Sequence, residues 1–174
     1  MNTPPPGPAP APTNPNRKFI MLAVAGVMSI GCCLLTGIGA AVGIPAFVNY
    51  VKRSKTTEAS AMVRQLAELS ESHYLATGSL PSRAGPLPAV PSQDKFMVDW
   101  AADPVFRAIG FDAGGPVYYS YSIEPTGPGT IAIRARGDLD GDGVQSLFEL
   151  TIGQCTADAG CQRSQGIYVE RELE

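Results

Sequence analysis

The chain is poor in several residue types that catalytic and nucleic-acid-binding proteins depend on. Its 174 residues include one histidine, and only 17% are charged. Around that histidine, His73, no nucleophile, base and orienting group can be assembled, and no CxxC, HExxH or phosphate-binding glycine motif is present. We therefore expect no enzymatic activity. With a net charge of −3 and no long basic run, the sequence also argues against a nucleic-acid partner.

Charge is missing altogether from Phe19 to Val48, a stretch of 30 residues. A helix of that length would measure ~45 Å, which exceeds the ~30 Å hydrocarbon core of a bilayer. The sequence therefore predicts one transmembrane helix at residues 19–48, with the membrane as a partner. Gly39 and Gly43 form a GxxxG pair that lets two membrane helices approach closely, although glycine is common in membrane helices in general.

The segments on either side of the apolar run differ in composition. Residues 1–18 are rich in proline and predict a disordered tail. Residues 49–78 predict an amphipathic helix that continues the apolar one, with Gly78 as its C-cap. Its apolar stripe recurs at spacings of three and four, at Ala59, Met62, Val63, Leu66 and Leu69.

Residues 79–174 predict a small head rich in β-structure. A Pro/Gly loop comes first, and Asp103, Pro104 and Gly110 are typical of the cap, first residue and stop of a short helix. Residues 117–123 and 131–135 alternate with a period of two around a Gly/Pro turn, which predicts a hairpin. Further strands are expected at 146–152 and 166–170. The expected fold class is α+β, a long helix packed on a small antiparallel sheet.

Two segments resemble the helix of type IV pilins and pseudopilins. Ile44 to Ala59, with the letters IPAFVNYVKRSKTTEA, is similar to the step between its apolar and amphipathic halves, and His73 to Pro81 is similar to its exit. The resemblance implies a pilin-like fold and a structural subunit of a type IV pilus or type II secretion-like assembly. It also implies packing with itself or with other pilin-like subunits through the N-terminal helix. The expected location is the bacterial inner membrane, with the head in the periplasm or outside the cell.

The chain departs from that family at the processing site. Counting back from Pro45 places Val24 at the first mature position and Met28 where the family has a glutamate. This departure, with the Pro-rich tail, favours a second hypothesis, a single-pass anchored binding module that does not polymerise. A third, a lipoprotein signal ending at Cys32, is opposed by Ser29 and by the apolar sequence that continues beyond.

Two cysteines lie near the C-terminus, with five residues between them. Cys155 and Cys161 could close a short disulfide across a Gly-containing loop, or remain free thiols. The resemblance favours the disulfide, because pilins commonly carry a C-terminal disulfide loop. A disulfide there would imply an oxidising compartment.

One segment carries a metal-binding pattern. Residues 138–149 fit a twelve-position calcium loop, in which alternate oxygen ligands converge around a glycine turn at Gly143. The predicted calcium ligands are Asp138, Asp140, Asp142, the carbonyl of Val144, Ser146 and Glu149. The match is weaker at its end, where Gln145 takes a usually apolar position and strands flank the loop. The alternative is an acidic turn that binds no metal.

Overall fold

The structure is a computed structural model that describes residue 7 and residues 16–173, without the side chains of residue 18 and residues 29–36. Most of the predicted tail, residues 1–18, lies outside these described residues, as do side chains in the middle of the predicted span at 19–48. In the part of the chain that is described, no helix has both the length and the hydropathy needed to cross a membrane. The chain divides into two units, Met1–Ala46 and Phe47–Glu174.

Helix α1 runs from Asn16 to Thr77 and contains Pro45. It ends as the sequence predicts, because Gly78 adopts a φ of 76° and donates its N–H to the carbonyl of Tyr74 at 2.7 Å. Large apolar side chains before Pro45 are exposed, among them Phe19 at 79% and Met28 at 71%. Among the side chains that the structure describes there, large apolar ones are therefore left uncovered.

The second half of α1 is buried along one stripe. Ala59, Val63, Leu66 and Ala67 have no exposed surface and pack in one core with residues of the sheet. This burial confirms the predicted amphipathic helix, since the positions recur at three and four residues.

A six-stranded antiparallel sheet covers that stripe, with β1 to β5 in chain order and β6 paired to β4. The strands are β1 Ala84–Leu87, β2 Ser120–Gly127, β3 Thr130–Gly137, β4 Ser146–Thr156, β5 Gly160–Arg163 and β6 Tyr168–Glu170. The α+β class, the predicted β2–β3 hairpin and the strand after the acidic loop are confirmed. The face of the sheet that belongs to the core carries alternate residues. These are Tyr119 just before β2, and then Tyr121, Ile123, Ile131, Ile133, Phe148, Leu150 and Ile152.

A short helix, α2, spans Pro104–Ile109 as predicted, after a 3₁₀ turn at Trp100–Ala102. The carboxylate of Asp103 accepts the N–H groups of Val105 and Phe106 at 2.7 and 3.2 Å. It also accepts the N–H of Gly85 in β1 at 3.0 Å. Burial alone would raise the pKa of Asp103, but these three amides together hold its pKa below the ordinary value.

Core packing of α1 on the sheet leads to a matched pair of substitutions. We expect Leu66→Ala to lower the free energy of unfolding by about 2–5 kcal/mol, because it leaves a cavity in a fully buried site. Leu75→Ala, on the same helix but at a side chain 62% exposed, should change it by less than about 1 kcal/mol. Urea denaturation of both variants in mild detergent measures the difference. An equal loss of unfolding free energy in both variants would contradict the packing of Leu66 in the core.

The cap of α2 gives a second pair of variants. We expect Asp103→Ala to cost about 1–2 kcal/mol of stability, whereas Asp103→Asn should retain most of the cap. Since the folded pKa of Asp103 is depressed, the charge contributes stability above the unfolded pKa of about 3.9, and that contribution is lost as pH falls through the folded value. The stability gap between wild type and Asp103→Asn should therefore close in acid. A gap that persists at low pH would be inconsistent with this.

Candidate metal centre

The loop between β3 and β4 brings three carboxylates together. One oxygen from each of Asp138, Asp140 and Asp142 lies within 4.8 Å of the other two. Gly141 and Gly143 have φ of 76° and 88°, a region that L-residues rarely adopt, and so they allow the chain to turn between the aspartates. The first half of the predicted calcium loop therefore has the convergent shape that the motif requires.

Two of the aspartates also hold the loop in shape. Asp138 accepts the N–H groups of Gly141 at 2.7 Å and Gly143 at 3.2 Å, and Asp142 accepts the N–H of Val144 at 2.7 Å. Charge-assisted bonds of this kind are stronger than neutral ones. The carboxylates are thus ordered by the loop's own backbone.

The third aspartate contacts helix α1. Lys52 Nζ lies 2.8 Å from Asp140 Oδ2, and this hydrogen bond is the largest cause that lowers the pKa of Asp140. Gln93 donates its side-chain N–H to the main-chain oxygen of Asp140. The acidic cluster therefore contacts a cation of the protein's own, Lys52, at one oxygen of Asp140.

Glu149 does not join the aspartates. Its Oε2 accepts from Arg134 Nε at 2.5 Å, and Arg134 also pairs with Glu124. The reason is the strand that begins at Ser146: each residue of β4 advances about 3.3 Å, so Glu149 is carried about 10 Å along the strand rather than turned back as on a helix. In the antiparallel register it stands opposite Arg134.

Ser146 is also placed apart from the aspartate cluster. Its side chain is fully buried, and its hydroxyl donates to the carbonyl of Gly137 at 3.2 Å. The hydroxyl of Tyr119 is buried close to the hydroxyl of Ser146, and burial raises the pKa of this phenol. Val144 remains in the loop next to Gly143. Of the six predicted ligands, the structure brings together the side chains of the three aspartates.

The residues that sequence reasoning missed are Lys52 and Gln93. They lie 88 and 47 positions from Asp140, so no local pattern links them to the loop. Lys52 belongs to the group of positive charges that follows the apolar run, but this group does not indicate which acidic residue Lys52 contacts.

The predicted C-terminal disulfide is present. Cys155 and Cys161 are bonded, and they lie on β4 and β5, which pair next to the bridge. The phenol of Tyr74, in the last turn of α1, donates to the carbonyl of Cys155 at 2.8 Å. The disulfide loop is therefore attached to the end of the helix.

Comparison of the chain with protein-family models, with curated proteins and with solved structures gave no match.

The contact between Lys52 and Asp140 predicts a pKa change in a neighbouring group. We expect Lys52→Met to raise the pKa of Asp140 toward its ordinary value, since the ammonium that favours its ionised form is removed. Carboxyl ¹³C chemical shifts followed through an acid titration measure it. Lys55→Met is the control, because Lys55 Nζ lies instead over the ring of Tyr118, 4.4 Å from its centroid. An unchanged Asp140 titration in Lys52→Met would show that the contact is not made in solution.

Proposed function

We propose that the chain is a pilin-like, membrane-anchored structural subunit of a type IV pilus or a type II secretion-like assembly. In this proposal the first half of α1 lies in the bacterial inner membrane. The head lies on the periplasmic or extracellular side. Its role is to pack and to position, with no catalytic step.

One observation carries the proposal, the contrast between the two parts of α1. Apolar residues of its second half are enclosed by the head, whereas the described large apolar side chains of its first half, at residues 19–28 and 38–44, are open to the surroundings. Exposed apolar surface of this extent marks a site of interaction with lipid or protein. The uncharged run from Phe19 to Val48 and the resemblance to pilin helices favour lipid and neighbouring helices as that environment.

The glycine pair offers a place for a neighbouring helix. A Cβ added at Gly39 or Gly43 would meet nothing within 4 Å, so the helix surface there is open. Small residues at such a surface let two backbones approach closely in a bilayer, where van der Waals packing drives helix association. Self-association, or association with other pilin-like subunits, through this surface follows from the proposal.

A bacterial two-hybrid assay with both partners in the membrane tests the packing. We expect Gly39→Leu to reduce the self-association signal several-fold, because the larger side chain separates the backbones. Gly37→Leu is the matched control, since it adds the same bulk about 200° away around the helix and also meets open space. Equal signals from wild type and Gly39→Leu would count against packing through this surface.

The head, in our proposal, is stabilised by calcium at the acidic loop. The three aspartates each place one carboxylate oxygen within 4.8 Å of the other two, and such hard oxygen ligands are the kind that calcium prefers. Water and backbone oxygens would complete its six to eight contacts. The ion would offset the repulsion between the aspartates. Lys52 takes part of that role when the ion is absent.

Thermal unfolding with and without calcium tests this part of the proposal. Bound calcium should stabilise the fold by about 2.7 kcal/mol at a concentration of 100 times its Kd. Asp142→Asn should remove the gain, whereas Glu149→Gln should retain it, because Glu149 contacts Arg134 and not the cluster. A melting temperature that calcium leaves unchanged in the wild type would refute calcium binding.

The second candidate function is the anchored binding module that does not polymerise. It is favoured by the processing site, where Met28 stands in place of the family's glutamate. Intact mass and N-terminal sequence of the protein from native membranes separate the two. Loss of the chain up to Ala23 would support the filament subunit, and a retained N-terminus would support the permanent anchor. A lipid on Cys32 would overturn both.

A further inference from the structure

A cleft of about 580 Å³ opens in the head where α1 ends. Its walls are residues 78–82 after the helix, residues 125 and 127–131 at the β2–β3 turn, and Gln154 with Cys155 in β4. The volume falls within the range of about 300–1,000 Å³ that small-ligand sites occupy. Neither the acidic loop nor the exposed half of α1 contributes to it.

The residues that line this cleft are uncharged. Among the described residues that line it, none carries a formal charge, and its side-chain polar groups include those of Ser79, Ser82, Thr130 and Gln154. The phenol of Tyr74 is already engaged as a donor to Cys155. A charged ligand would lose its water here without finding a countercharge, which is costly. The cleft therefore favours an uncharged ligand that makes many hydrogen bonds.

The polar surface continues beyond the cleft. A shallower depression of about 260 Å³ shares Thr130 and Gln154 with it, and adds the hydroxyl and amide side chains of Thr151, Gln162 and Ser164. Its one charged residue, Arg163, is held by two hydrogen bonds to Glu71, at 2.7 and 2.6 Å. A ligand longer than one ring could follow this hydroxyl- and amide-rich surface.

The walls are held in place before any ligand arrives. Gly78 is tied to Tyr74 by its N–H, and Cys155 is fixed both by the disulfide and by the phenol of Tyr74. Gln154 has a φ of 48°, an uncommon conformation for a residue with a side chain and one that is frequent at ligand sites. Preorganisation of this kind reduces the entropy that a ligand loses on binding.

We infer that this cleft binds a neutral oligosaccharide. Sugar hydroxyls donate and accept hydrogen bonds, as the serine, threonine and glutamine side chains of the cleft do. Leu80, Pro81 and Pro128 supply apolar surface for the C–H faces of a sugar ring. In the adjoining depression a peptide could not add as a further strand at Gly153, because this residue pairs with Thr130 on one side and with Gln162 on the other.

The test uses the full chain in phosphocholine micelles, free of sugar-based detergents, and follows backbone amide shifts during titration. The probes are maltotriose, cellotriose, galactotriose and N-acetylchitotriose, with 3′-sialyllactose as a charged comparison and a neutral Gly-Ser-Thr peptide as the other class. We expect saturable shifts at Ser82, Thr130 and Gln154 with at least one neutral trisaccharide, and affinity for sialyllactose at least tenfold weaker.

Two tryptophan variants localise the binding. Gly127→Trp should fill the cleft and weaken the affinity at least tenfold, because a Cβ at Gly127 meets open space and the fold can accept it. Gly166→Trp has equal room for its side chain and lies outside the cleft, so its affinity should match the wild type. The inference is overturned if no neutral sugar shifts these amides at 20 mM, if the peptide or sialyllactose binds as well, or if Gly127→Trp binds unchanged. Because the readout is confined to the head, the result is independent of whether the chain assembles into a filament.

Discussion

The structure of the head depends on the burial of one stripe of α1 against the sheet. Ala59, Val63 and Leu66 are enclosed completely, and they share one core with sheet residues such as Ile133 and Phe148. A sheet with one apolar face needs such a cover, and here α1 supplies part of it, together with Trp100 and Phe111, whose rings pack against Tyr121. Hydrogen bonds from side chains of α1 then fix the loops. Glu58 accepts the N–H of Tyr118 at 2.8 Å, Lys52 donates to the carboxylate of Asp140, and the phenol of Tyr74 donates to the carbonyl of Cys155.

The elements that the sequence predicted correctly are those determined by residues close to one another in the chain. The alternation of β2 and β3, the Asp103 cap of α2 and the Gly78 end of α1 all depend on neighbours within a few positions, and all are present. Strand β1 was missed, because Gly85 and Pro86 argue against a strand and only pairing with β2 makes it one. Strand β5 was missed for a similar reason, since its pairing with β4 is not visible in its own four residues.

The acidic loop shows where sequence motifs cease to be reliable. The three aspartates converge because Gly141 and Gly143 turn the chain locally, which the motif encodes. Glu149 could not be placed by the same motif, because its position depends on whether a helix or a strand follows the loop. A strand follows, and Arg134, opposite in the register, pairs with it. Lys52 comes from another element altogether, and its contact with Asp140 exists only once α1 has packed on the sheet.

We propose that the apolar first half of α1 is a membrane anchor. Alkaline carbonate extraction of the native membranes tests it most directly, since carbonate releases peripheral proteins and leaves integral ones in the pellet. The account predicts that the full-length chain stays in the pellet after extraction, and that replacing Leu22, Val24 and Val27 with aspartate releases it, because charges in a bilayer are costly. Recovery of the unmodified chain in the carbonate supernatant would contradict the account.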